Sequence, residues 1–156
     1  MAQKTKRDAL STAYKLLSYR QRSVMELSGK LEAKGFVAEE IGPVIDYLKE
    51  AGFLDDGKFA SELAASRVKY KNWGPIKISA ELESKGISRE IIEAAFAPLK
   101  GGFGAEAALN KWIKENRAGI PLDKRTRERA FRFLKGRGFT ADSIMKAINF
   151  QKPEEP

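Results

Sequence analysis

One hexapeptide pattern occurs three times in this chain at a nearly constant spacing, and it constrains the fold more than any other feature. Leu31-Glu32-Ala33-Lys34-Gly35-Phe36, Leu82-Glu83-Ser84-Lys85-Gly86-Ile87 and Leu134-Lys135-Gly136-Arg137-Gly138-Phe139 each present a leucine, two spacers, a cation, a glycine and a large apolar residue. The glycines lie 51 and 52 residues apart. The correspondence continues downstream: Ile41, Ile92 and Ile144 follow the glycine by six residues, and Ile45, Phe96 and Ile148 follow it by ten. A fixed period of this length marks a repeat architecture, in which each copy is one supersecondary unit.

The unit reads as helical. A cation followed by glycine is a helix ending, because the cation suits the negative end of the helix dipole and glycine takes the left-handed position after the cap. The apolar residue that follows can fold back over the last turn. Ser88 and Thr140 then stand where an N-cap opens the next helix, whereas the first copy has Val37 there and a weaker start. Upstream, Ser23-Val24-Met25-Glu26 is a capping box, and Gly74-Pro75 opens the equivalent helix of the second copy. A further amphipathic helix precedes each of these, at about 6–20, 55–71 and 102–118. The expectation is an all-α chain of nine helices. Its three tandem three-helix repeats span residues 1–52, 53–99 and 100–150, followed by a frayed tail at 151–156. Stacked repeats would share a core in an elongated, curved, right-handed or open superhelical body. Lys100-Gly101-Gly102-Phe103-Gly104 is its most flexible linker.

Composition narrows the chemistry. Cysteine and histidine are both absent, which removes disulfides, soft metal sets and histidine-based nucleophile pairs. The first ten residues are polar and no apolar run approaches the ~20 residues that span a bilayer, so the expectation is a cytoplasmic protein without a membrane partner. The net charge of +8 is unevenly placed. Residues 100–156 hold thirteen Lys/Arg against seven Asp/Glu, while the first two repeats are close to balance. Such an excess attracts phosphate backbones or acidic protein surfaces.

Asp55-Asp56 is the one carboxylate pair that invites a catalytic or Mg²⁺ reading. It fits better as a helix start, with one aspartate at the cap and one in the first turn, since no third carboxylate is near in sequence. No metal, cofactor or small-molecule substrate is expected, and the chain is read as a binding protein and not an enzyme. The leading candidate surface is the helix at about 123–136, where Arg125, Arg129 and Arg132 form one stripe and Ala130, Phe131, Phe133 and Leu134 face the core. Arg127 falls in the apolar arc and must snorkel or pair with an acid. The stretch Arg67, Lys69, Tyr70, Lys71 and Trp73 interleaves cations with aromatics. It can either follow a nucleic-acid backbone and stack on bases or pack its rings between repeats. Arg20 and Arg22 form a smaller basic site, or else complement the end of the first helix.

Taken in order, these landmarks resemble the RecX family of recombinase regulators. The matching residues are Tyr19-Arg20-Gln21-Arg22-Ser23 with Glu26-Leu27, then Leu31 and Lys34-Gly35-Phe36. Gly52-Phe53-Leu54-Asp55-Asp56 with Phe59-Ala60 and Arg67 follow, then Gly74-Pro75, Leu82 and Lys85-Gly86-Ile87-Ser88. Arg132-Phe133-Leu134 and Arg137-Gly138-Phe139 complete the set, which spans about residues 9–148 and is weakest at 100–122. The resemblance implies a monomeric, non-enzymatic protein whose partner is the RecA recombinase filament on single-stranded DNA. It would bind in the filament groove and damp ATP hydrolysis, strand exchange and the stimulation of repressor cleavage in the SOS response. On this reading the residues that contact filament or DNA come from Arg125, Arg129, Arg132, Lys135 and Arg137, from Arg67, Lys69, Lys71 and Trp73, and from Arg20 and Arg22. The alternative is a helical regulator that binds DNA without a protein partner.

Overall fold

A computed structural model describes residues 2–99 and 103–151, with side chains from residue 8 onward. Among the described residues there are nine α-helices and no strand. They are α1 (Ala2–Tyr19), α2 (Val24–Ala33), α3 (Ala38–Glu50), α4 (Asp56–Ser66), α5 (Pro75–Ser84), α6 (Arg89–Phe96), α7 (Ala105–Asn116), α8 (Lys124–Gly136) and α9 (Ala141–Phe150). The Lys100–Gly102 part of the expected linker and the tail at 152–156 lie outside the described residues.

The repeated hexapeptide closes α2, α5 and α8 in one way. The N–H of Phe36, Ile87 and Phe139 donates to the carbonyl of Leu31, Leu82 and Leu134, at 3.2, 3.1 and 3.2 Å. The glycine N–H in each copy donates to the carbonyl of residue 32, 83 or 135, which completes three Schellman endings. Gly35, Gly86 and Gly138 take φ of +94°, +75° and +91°, a conformation that strains any residue with a Cβ. The starts follow the sequence as well. Ser23 accepts from the Glu26 N–H while the Glu26 side chain accepts from the Ser23 N–H. Thr140 accepts from the Ser143 N–H, and Ser88 from the Ile91 N–H. Val37 offers no side-chain oxygen, and its own N–H is met by the Glu40 carboxylate.

Three elements differ from the sequence expectation, the first being α1, which starts at Ala2 and not near residue 6. The fourth helix does not run as an α-helix to residue 71; it widens at Arg67 into a π-helical turn that ends at Lys71, with Asn72 left-handed at φ +52°. β-Branched Val68 and bulky Tyr70, each between cations, favour a tight last turn poorly, and the chain continues through left-handed Asn72 into Gly74-Pro75. The seventh helix is shorter than expected, Ala105–Asn116, because Gly104 at φ +76° and Arg117 at φ +51° close it at both ends.

The molecule comprises two compact units, residues 1–62 with 82–95 and residues 63–81 with 96–156. The core of the first is built on Ala9, Ala13, Leu27, Leu31, Ile41, Val44, Ile45, Leu48 and Leu54. The second buries Leu109, Trp112, Ile113, Leu122, Ala130, Leu134, Phe139, Ile144 and Ile148. The periodic positions named above thus supply both cores. Asp55 caps α4 through the Lys58 N–H at 3.1 Å, as the helix-start reading requires. The carboxylate of Asp56 does something the sequence did not disclose: it accepts the Val24 N–H at 2.8 Å and so satisfies an orphan donor at the start of α2. Among the described residues no cluster of three acids could hold a metal ion, and no helix is long and apolar enough to cross a membrane.

Candidate nucleic-acid interface

The second unit gathers cations from two stretches that are far apart in sequence, residues 67–77 and α8. The start of α5 lies on the turn that follows α8, with backbone touching backbone: Gly74 N–H donates to the Arg137 carbonyl at 2.7 Å and Ile76 N–H to the Gly138 carbonyl at 3.0 Å. A Cβ at Gly74 would stand 2.5 Å from the Gly138 carbonyl group, so only glycine permits this approach. Contact at this point brings Lys71, Trp73 and Lys77 beside Arg137, whose guanidinium donates to the Lys71 carbonyl at 3.1 Å.

Trp73 is the centre of the group. The Lys77 ammonium lies 4.4 Å from its ring centroid, that of Lys71 5.0 Å, and the Arg67 guanidinium 5.5 Å. Each such contact contributes on the order of 0.5–1 kcal/mol at a partly exposed site, and together they hold flexible cations in place. Arg137 in turn lies over Phe133 at 5.0 Å, and Phe133 approaches Trp112 at 6.3 Å. Arg129 covers the other end, 5.6 Å from the buried Trp112. A strip of alternating cations and rings therefore joins the 67–77 stretch to α8.

Each residue singled out from sequence has a definite place. Arg125, Arg129, Arg132 and Lys135 are exposed on α8, whose start is fixed by the Asp123 carboxylate accepting the Thr126 N–H. That hydrogen bond, with the nearby Arg125 charge, holds Asp123 below the usual carboxylate range. Among the described residues Arg127 pairs with no acid; its Nε donates to the Leu122 carbonyl at 2.9 Å on an otherwise exposed side chain, the snorkelling alternative. Arg67 is held in a bidentate pair with Glu81, at 2.8 and 2.6 Å, which raises its pKa against the opposing effect of burial. Its guanidinium is thus engaged within the fold, and it buttresses Trp73 instead of standing open. Lys69 and Tyr70 are exposed, with the ammonium 5.1 Å from the ring. Lys77 was missed by sequence reasoning, and its only signal was a position three residues after Gly74 in a helix whose start must lie on something.

Arg20 and Arg22 serve the first unit. Arg20 pairs with Glu26, which Lys85 also approaches at 3.5 Å. Burial pushes the Glu26 carboxyl up, but Arg20, the Ser23 N–H and Lys85 together bring it below its ordinary value. Arg22 donates to the Leu16 carbonyl at 3.3 Å near the end of α1, the complementing role its sequence position allowed.

Comparison with known proteins follows the same lines. The family model described as the first three-helix domain of RecX matches residues 9–48, and that of its second three-helix domain matches residues 55–95. A regulatory protein RecX from Halorhodospira halophila is 35% identical over 137 residues, covering 86% of this chain and 83% of that one. The regulatory protein RecX of Chlorobium limicola is 36% identical over 149 residues, covering 95% and 92%. The crystal structure of RecX from Lactobacillus salivarius superimposes with a TM-score of 0.83 over 95% of this chain and 97% of that one, at 20% identity, which is a likeness of fold.

Proposed function

The chain belongs to the RecX family of regulatory proteins, and from that premise we propose that it binds the filament a RecA-type recombinase forms on single-stranded DNA and lowers that filament's activity. The observation that carries this reading is the cation group around Trp73. Lys71 and Lys77 converge on one half-buried ring, and Arg137 at the end of α8 reaches the Lys71 carbonyl beside them. The exposed arginines of α8 extend the positive surface away from it. An array of this kind suits a run of phosphates, which a single-stranded backbone presents, because it neutralises several charges without reading bases. The faces of Trp73 are taken by cations, so the ring organises the phosphate contacts and does not stack on a base.

Binding along the filament would act by opposing its turnover: the protein contributes no reacting group and inhibits ATP hydrolysis, strand exchange and stimulation of repressor cleavage by occupying the groove that these steps need. The test is a titration of this protein into recombinase assembled on single-stranded DNA, with ATP hydrolysis followed at two salt concentrations. Inhibition below one protein per recombinase, weakened at the higher salt, is the expected result. Unchanged hydrolysis at equimolar protein at both salts would refute the reading.

A second reading, a DNA-binding regulator that needs no recombinase, draws on the same cations. The helix that would enter a major groove, α9, opens with Thr140, Asp142 and Ser143, which offer no arginine, asparagine or glutamine to base edges. A duplex site bound ~10³-fold better than random DNA would favour it.

A further inference from the structure

The same joint occurs twice in this molecule. In the second unit, the start of α5 sits on the turn after α8, where Gly74 N–H meets the Arg137 carbonyl. In the first unit, the start of α2 sits on the turn after α5: the Ser23 hydroxyl donates to the Lys85 carbonyl at 2.7 Å, and Met25 covers Gly86. Ser23 and Gly74 hold equivalent positions, each twelve residues before the glycine of its own repeat. Both joints set a small residue and the first turn of a helix against the carbonyl of the cation that precedes the turn glycine. The donors that a helix start leaves unpaired thereby meet acceptors that a helix end leaves unpaired.

The third turn of the set, Lys34-Gly35-Phe36-Val37, has nothing seated on it among the described residues. A Cβ at Gly35 would meet no atom within 4 Å, whereas Gly86 and Gly138 are covered by Met25 and Lys77. The apolar residue after the glycine is buried at the two covered turns, Ile87 and Phe139, and only half-buried at Phe36. Val37, where the other repeats have a polar cap, is 52% exposed. Beside this turn a groove of about 660 Å³ runs between α2 and α3, lined by Ser28, Glu32, Gly42 and Asp46 among others. Gly42 keeps it open, where the equivalent positions carry Glu93 and Met145. The two charged residues that line this largely apolar groove are both acidic, on a chain that is basic overall.

We propose that this turn is an open seat for the N-terminus of a helix on the recombinase subunit, one that starts with a small residue and carries cations in its first turn. The inference rests on the filament reading above. Charge argues for that occupant, since the positive end of a helix with first-turn cations complements Glu32 and Asp46. The matching helix of a second copy, α8, carries Lys124, Arg125 and Arg127 in its first turn, but it is extended by a turn and opens on Asp123 in place of a small residue, so its start does not fit the seat.

Gly42→Arg fills the groove and offsets part of its negative charge at an exposed helical position with open space around it. We expect it to weaken binding to the recombinase filament at least tenfold while affinity for single-stranded DNA alone is unchanged. Gly42→Ala should bind the filament as the wild type does. Unaltered filament binding by Gly42→Arg, with its helical circular dichroism intact, overturns the proposal; if that variant fails to fold, Val37→Lys, which sets a cation at the exposed edge of the seat, is held to the same standard. Failure of wild-type protein to bind the filament would instead sink the filament reading. Because the chain has no cysteine, Val37→Cys carries a single photo-crosslinker. Its adducts should map to the first turn of a recombinase helix. Adducts confined to a loop or strand, or to another copy of this chain, contradict the assignment.

Discussion

Gly74→Ala is the sharpest structural perturbation available, because the added methyl meets backbone and not a side chain that could swing away. The new carbon would lie 2.5 Å from the Gly138 carbonyl carbon and oxygen and 2.6 Å from the Phe139 nitrogen. Relief requires the start of α5 to lift off the turn, which breaks the Gly74–Arg137 and Ile76–Gly138 hydrogen bonds. Overpacking costs about 1–3 kcal/mol and each lost hydrogen bond about 1 kcal/mol, so the change should destabilise by roughly 3–5 kcal/mol. A domain of this size loses roughly 2–4 °C of Tm per kcal/mol, which places the expected fall at about 6–20 °C. Gly29→Ala is the matched control, a helix-interior glycine with nothing within 4 Å, where alanine should stabilise by about 0.5–1 kcal/mol. Both are read by urea titration and by thermal melts followed at the helical band. A Gly74→Ala protein within 0.5 kcal/mol of wild type, by the linear extrapolation in urea, would refute the argument from close approach.

Three other outcomes follow from the geometry. Arg67→Lys should lower stability by about 1–2 kcal/mol in a urea titration, because lysine cannot make the bidentate contact to Glu81; recovery of wild-type stability would show the pair is not bidentate in solution. Glu26→Gln should cost about 1 kcal/mol at neutral pH, because it keeps the capping acceptor but removes the charge that faces Arg20, Lys85 and the start of α2. Glu26 has a folded-state pKa below its unfolded one, so its stabilisation is full above the ordinary carboxylate range and lost as pH falls through the lowered value. The gap between the two proteins should therefore close in acid melts, and a gap that widens there would contradict the assignment. Charge reversal at Arg125, Arg129 and Arg132 together should weaken filament inhibition in the ATPase titration while lowering Tm by only about 1–4 °C, the loss of the Arg129–Trp112 contact, since all three are exposed; inhibition of undiminished strength would remove α8 from the interface.

Much of the fold was legible because its signals are local. A leucine, a cation and a glycine in fixed order specify a Schellman ending whatever surrounds them, and all three copies form one. Ser23 with Glu26 likewise declares its helix start within four residues. What the sequence concealed is non-local. Arg67 looks like a free cation until the π turn swings it onto Glu81, fourteen residues on. Lys77 sits alone in sequence and joins the basic group only because Gly74 lets α5 touch the turn at Gly138. Asp56 reads as a first-turn acid, yet its carboxylate serves α2, thirty-two residues away. The α8 stripe was visible on a helical wheel, but the place of Arg129 over Trp112 depends on how α7 meets α8.

The account depends on phosphate neutralisation by the cations at Trp73, and the salt dependence of binding measures that directly. Affinity for recombinase-coated single-stranded DNA should be determined across a salt series for wild type and for the Lys71→Gln, Lys77→Gln double variant. Each phosphate contact on a single strand contributes about 0.7 to the slope of log affinity against log salt. The double variant should therefore bind more weakly with a slope shallower by about 1.4. An unchanged slope at unchanged affinity would contradict the central claim.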